Sequence, residues 1–240
     1  MSALEIATAP LALSPVAERL AHVGRAIEPI LNRVVLVGPP AEALLIDNPS
    51  VRCPQMSFTA DSALQFLSTS MVDRLGVDLQ KLGFLRVGRT SGSDRWRHDD
   101  GITLDLIQVQ TDGDTPHQLS LEYATLLTQS VVDVGAAFRV AAAPALLALE
   151  CTSFSFTHVP ARVLHSEELE RVVQLIAGRK EIETECAAAP AELRSIITSS
   201  LARLVATDAL PLLVMRALPD AALLPALAAR VRERIVRMAC

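Results

Sequence analysis

The sequence predicts an α/β fold, a small mixed sheet flanked by helices that continues into a helical C-terminal region. Three observations predict it. Short β-branched runs, at residues 34–37 and 102–109 among others, alternate with segments of helical periodicity in the first part of the chain. After Pro144 such runs cease and helical stripes continue to the C-terminus. Half of the residues are hydrophobic, mostly Ala, Leu and Val with only eight aromatics (six Phe, one Trp, one Tyr), and Ala and Leu lose little entropy in helices. The division that follows is an α/β core over residues 1–141 and a helical region over 142–240.

The elements follow in order. Ser14 and Pro15 read as an N-cap and a first-turn proline, after which Val16, Leu20, Val23, Ile27 and Ile30 recur at helical spacing. The run 34–37 reads as a buried strand ended by the turn Gly38-Pro39-Pro40, with a brief helix over 41–46 and a loop over 47–50. A strand is expected near 55–60. Ser70 to Asp73 resembles a capping box whose helix carries Leu75, Leu79 and Leu82 and stops at Gly83. Residues 84–89, 95–98 and 102–109 read as three strands of one sheet, joined by Gly-Ser-Asp and Asp-Asp-Gly turns. A short strand is expected at 138–140. Further on, Ser166 and Pro190 mark helix starts and Gly178 a stop. The last helix, 220–238, presents Leu223, Leu227, Val231 and Ile235 on one face.

Composition narrows the function. No apolar run approaches the roughly 20 residues that span a bilayer, and the N-terminus lacks a basic secretory start. A cytoplasmic protein with no membrane partner is expected. A formal net charge of −5 argues against generic charge-driven nucleic-acid binding. The four cysteines (Cys53, Cys151, Cys186, Cys240) form no Cys-x-x-Cys pair, and no two of the five histidines are three or four apart, so neither disulfide staples nor a zinc site is expected. Dinucleotide, P-loop and nucleophile-elbow motifs are absent.

An ordered series of short motifs remains. It comprises a strand ending in Gly38, a loop with Arg52, a helix ending Leu82-Gly83-Phe84, a Trp96-Arg97 strand and Asp105 inside an apolar strand. Pro144-Ala145-Leu146-Leu147-Ala148-Leu149-Glu150, Ser166-Glu167-Glu168-Leu169-Glu170-Arg171 and Gly178-Arg179 complete it. This order resembles the AbiEii-type bacterial nucleotidyltransferases, a branch of the polymerase-β-like superfamily. Their pattern is a strand ending in Gly-Gly or Gly-Ser, then Arg-x-Thr-x-Asp-x-Asp and a helix ending in Gly-Phe. A third Asp on an apolar strand follows, then a helix ending in Lys, a Ser-x-Asp-Leu-Glu-Asp helix, and Gly-Arg. The resemblance implies Mg²⁺ held by carboxylates beside a nucleoside triphosphate, with the paired aspartates facing one way along a strand.

The chain departs from that pattern at most chemical positions. Counted from Arg52, Pro54 replaces Thr, and Met56 and Phe58 replace both aspartates; counted from Thr59, Asp61 survives and Ala63 replaces the second. Pro39 brings no N–H to the phosphate turn. Glu150 stands where the resemblance implies a lysine, and Arg171 where it implies an acid. Asp105 and Asp61 are thus the catalytic candidates and Asp105 the metal candidate, while Gly38, Arg52, Arg97 and Glu168 are the candidate substrate contacts. Asp105 is expected either to face a cleft or to pair with Arg52 or Arg97. Arg230, Arg234 and Arg237 share a face of the last helix, a basic row that reads as soluble surface or an RNA or acidic-partner contact.

Two functions follow from the resemblance. The preferred one is a degenerate nucleotidyltransferase, a pseudoenzyme acting as a binding or regulatory module with no cofactor, whose partner is a protein such as an antitoxin or regulator. The alternative is an active toxin-like enzyme with weakly held Mg²⁺ that transfers a nucleotide to RNA or protein. It would recruit Asp61, Asp99 or Asp100 beside Asp105.

Overall fold

A computed structural model describes residues 15–48, 51, 63–68, 72–90, 92–109, 114–133, 136–154, 165–218 and 225–240. The chain divides into two compact units. The first comprises Met1–Leu44, Met56–Gly113 and Leu121–Ala142; the second comprises Leu45–Gln55, Asp114–Ser120 and Ala143–Cys240.

A seven-stranded mixed sheet organises the first unit. Its strands are β1 (Val35–Val37), β2 (Leu64–Ser68), β3 (Leu85–Thr90), β4 (Ser93–Arg97), β5 (Thr103–Gln108), β6 (Thr128–Asp133) and β7 (Ala136–Ala141), in the order β3-β4-β5-β2-β1-β7-β6. The pairs β2–β5 and β1–β7 are parallel and the others antiparallel. Helices α1 (Pro15–Ala26), α2 (Pro39–Leu45) and α3 (Val72–Lys81) and the 3₁₀ segment Glu28–Arg33 belong to the connections. The α1 stripe is buried as its spacing requires: Leu20, Val23, Ile27 and Ile30 are all inside. Ile27, Ile30 and Val34 meet Phe66, Leu79, Leu104 and Leu106 around a small internal void. Trp96 is buried and lies over Gly76, where a Cβ would come within 3.1 Å of its ring.

Several expectations are met and several corrected. The strands expected at 84–89, 95–98 and 102–109 are β3, β4 and β5 of one sheet, and 138–140 falls inside β7. Gly83 ends α3 with φ +87° and Gly38 ends β1 with φ +72°, the left-handed region that glycine enters at no steric cost. The Gly38-Pro39-Pro40 turn is the start of a helix, because both prolines fit a first turn whose N–H groups have no intrahelical acceptor. The strand expected near 55–60 and the capping Ser70 lie outside the described residues. Sequence periodicity missed β2, β6 and α4 (Pro116–Leu126). Among the described residues no single helix is long and apolar enough to cross a membrane.

The second unit contains α5 (Ala143–Ser153), α6 (Glu167–Gly178), α7 (Ile182–Ala188), α8 (Ala191–Val205), α9 (Leu210–Ala217) and α10 (Pro225–Met238). The last helix is described over Pro225–Met238, and residues 219–224, Leu223 among them, lie outside the described residues. Ser166 caps α6 by accepting the Leu169 N–H at 3.1 Å. The other end of α6 is tied by side chains. Asn48 Nδ2 donates to the Ala177 carbonyl at 3.1 Å, and Arg234 donates to the carbonyls of Ile176, Arg179 and Lys180 at 2.7–3.0 Å, satisfying groups that a helix end leaves open. Arg179 pairs with Glu185 at 2.6 Å and Asp47 at 3.2 Å. Burial pushes the Cys151 thiol far up and that of Cys186 up to about 12, so both are unreactive core groups.

Two predictions test this packing. A Cβ at Gly24 would lie 2.5 Å from the Ala136 Cβ, so Gly24→Ala should destabilise the first unit by about 1–3 kcal/mol in urea unfolding, despite alanine's better helix propensity. In the second unit, the hydrogen bond from Arg237 lowers the Glu183 carboxyl, burial opposes it, and Arg234 adds to the lowering. A depressed folded value means stabilisation that is complete above the unfolded glutamate pKa of about 4.3 and lost as pH falls through the folded one. Glu183→Gln should therefore flatten the acid limb of a stability–pH profile. An unchanged limb would show that the clamp contributes nothing.

Candidate functional site

Strand pairing builds the candidate site. β5 lies between β4 and β2, and its register sets Asp105 opposite Arg95 on β4 and Gln65 on β2. Side chains alternate faces along a strand, so these three project together while Trp96, Leu104 and Phe66 project to the other side. Asp105 thus sits in the middle of an apolar strand between a guanidinium and an amide. β1 continues the arrangement: Val37 pairs with Gln65, and a Cβ at Gly38 would stand 2.9 Å from Gln65 Oε1. The Gly38 carbonyl accepts from Ala41 and Glu42 at 2.9 and 3.1 Å and starts α2.

The electrostatics of the site are dominated by one fork. Arg95 Nε donates to Asp105 Oδ1 at 2.7 Å and Nη2 to Oδ2 at 2.8 Å. This is the bidentate geometry in which guanidinium and carboxylate match best. The Asp105 side chain is 13% exposed and that of Arg95 52%, so the acid is inside and the base at the surface. The hydrogen bond to Asp105 pushes the Arg95 pKa above its ordinary value, with Coulomb attraction adding to it. The arginine stays charged throughout the accessible pH range.

The expected pairing of Asp105 with Arg97 is corrected. Arg95, directly opposite, is the partner; Arg97 is two residues on, exposed, and pairs in register with Thr103 and Leu85. Arg52 and Asp61 lie outside the described residues. The substitute acid Asp100 is engaged by His22 at 2.9 Å and His98 at 2.7 Å. Arg95 and Gln65 are the site residues that sequence reasoning missed. The apolar Leu64, Phe66 and Leu67 around Gln65 were the available signal of a strand.

Glu168 and the helices expected to hold substrate stand in the second unit. Glu168 accepts from the Ser166 hydroxyl at 2.7 Å. Burial works to raise its carboxyl, but Ser166, its own backbone N–H and Arg171 together hold it below the ordinary value. Glu150 and Arg171, read separately as departures from the family pattern, are partners: Arg171 Nη2 donates to Glu150 Oε2 at 2.8 Å, with both side chains largely buried. The Glu150 charge is therefore offset where it stands. In the basic row of α10, Arg234 and Arg237 both bind Glu183, and Arg230 is exposed.

A catalytic Mg²⁺, which the family resemblance implies, does not fit the described residues. Each oxygen of Asp105 already accepts a guanidinium N–H, its neighbour on β2 is a neutral amide, and no group of three or more His, Cys, Asp or Glu among the described residues could hold a metal ion. What the arrangement offers is a fixed guanidinium with its outer edge toward solvent.

Arg95→Ala should destabilise the protein by about 1–3 kcal/mol by leaving a nearly buried carboxylate unpaired, toward the lower end because Arg95 is half exposed. Adding Asp105→Asn should recover part of the loss in a double-mutant cycle. Strict additivity would show that the two groups are not coupled.

No protein-family model matches the chain, and no curated protein matches it significantly. Among solved structures the chain is similar to an antigenic nucleotidyltransferase-like protein from Paracoccidioides brasiliensis, at 17% identity and a TM-score of 0.47, covering 85% of this chain and 94% of that one.

Proposed function

We propose that the chain is a degenerate nucleotidyltransferase, catalytically inactive, that acts as a binding or regulatory module. The observation that carries this reading is the fork from Arg95 onto both oxygens of Asp105. Arg95 neutralises the carboxylate and holds both of its oxygens, so a metal cation there would meet a compensated anion beside a fixed positive charge. Gln65 beside it supports the same reading, since an amide neither neutralises a cation nor accepts a proton at neutral pH. The ordered motif series supports the narrower AbiEii-type assignment, and with it a bacterial, cytoplasmic toxin–antitoxin setting and a protein partner. Nucleotide or RNA binding without chemistry belongs to the same reading, through Arg95 and Arg97 on one face of β4.

Thermal unfolding with each ribonucleoside triphosphate, with and without Mg²⁺ or Mn²⁺, tests it. A ligand at about 100 times its Kd adds roughly 2.7 kcal/mol, a rise of roughly 5–10 °C at about 2–4 °C per kcal/mol. The expected result is no metal-dependent rise. A metal-dependent rise that Asp105→Asn abolishes would overturn the proposal in favour of the active, toxin-like enzyme.

A further inference from the structure

Strand β3 is the outer strand of the sheet among the described residues, paired with β4 on one side only. Alternate backbone N–H and C=O groups of an outer strand point away from the sheet and form a template for another strand. Leu85 and Val87 are 64% and 56% exposed along it, and Arg86 and Arg89 are exposed as well.

The charge on this edge is unbalanced. Arg86 Nη1 and Arg89 Nε each lie 3.5 Å from an oxygen of Asp94, whose side chain is only 5% exposed. One buried carboxylate thus faces two guanidiniums, and Arg97, opposite Leu85, is a further exposed cation. The positive sign is local, because the chain as a whole carries a formal charge of −5. A second copy is a poor occupant. Antiparallel self-pairing centred on Val87 and Gly88 would set Arg86 against Arg89, and like charges directly opposite destabilise a sheet. The bulge between Arg86 and Gly88 brings Arg86 and Arg89 to the same face, where both reach Asp94, so a segment that alternates acid and apolar residues and follows the bulge as β4 does can meet both.

We propose that β3 receives an extended segment of a partner protein as an added strand, its acidic residues meeting Arg86 and Arg89 and its apolar residues meeting Leu85 and Val87. Backbone hydrogen bonds would supply the affinity and the alternation of acid and apolar side chains the selectivity. This surface is independent of whether Asp105 takes part in chemistry.

The test is fluorescence anisotropy with a labelled, end-capped peptide of about eight residues, an ordinary strand length, that alternates glutamate and valine. A lysine–valine counterpart and two versions N-methylated along one or the other edge are the comparisons. At about 0.15 M salt, where screening acts within about 8 Å, the glutamate peptide should bind and slow amide exchange at residues 85–89. The lysine peptide and one of the N-methylated forms should each bind about tenfold more weakly or worse. Arg89→Glu, at a side chain 77% exposed, should weaken the glutamate peptide by at least a similar factor. No binding up to about 1 mM would overturn the proposal. So would equal binding of the lysine peptide, or full binding of both N-methylated forms. A dimer in sedimentation with protected β3 amides would overturn it too, by making a second copy the occupant.

Discussion

Asp105 lies near the middle of a strand whose other residues are Thr, Leu, Leu, Ile and Gln, and an anion in that setting must be compensated where it stands. The compensation comes from Arg95, one strand away, and it constrains much of the surrounding sheet. Because Arg95 must project with Asp105, its neighbours on β4 project to the opposite face, which sets Trp96 into the core against Gly76 and buries Asp94. Because Asp105 is also opposite Gln65, the parallel register of β2 against β5 decides which β2 side chains share its face. A shift of one residue would exchange the faces and bring Leu64 or Phe66 against the charge.

The helical unit obeys the same constraint with a different pair. Glu150 is buried on a helix of otherwise almost wholly apolar residues, and Arg171 on α6 reaches it with one N–H at 2.8 Å. Breaking either pair would strand a charge, whereas replacing both partners with apolar residues can be nearly neutral.

Much of the architecture was legible because its signals are local. The α1 stripe, the glycine stops at 38, 83 and 178, the Ser166 cap and the β3–β4–β5 meander each depend on residues within one element or one turn of it. The parallel strand β2 was not legible. It is five residues long, its core residues interrupt any clean alternation, and its place is fixed by β1 and β5, which contact sequence far from it on either side. The site was legible only in part for the same reason. Asp105 stands out as an acid in an apolar run, but its partner could be identified only from the register, which selected Arg95 over Arg97 two residues away. Glu150 and Arg171 are 21 residues apart, and nothing in either helix alone announces the other.

The distribution of compensated and uncompensated charge separates structural from binding groups. At Asp105, Glu150, Glu183 and Arg179 the ionic groups meet within a few ångströms, several of them buried, and their free energy is spent on holding elements together. A ligand aimed at such a group must displace a partner of matched geometry, and it gains only the difference between two similar interactions. At the outer strand β3 the balance is different. Two arginines share one acid at 3.5 Å, longer than a good charge-assisted hydrogen bond. An incoming carboxylate there would add attraction without breaking an equally good contact, and the backbone edge, unpaired among the described residues, would add directional hydrogen bonds. Among the described residues, positive charge is thus matched closely at the fork around Asp105 and only loosely at β3.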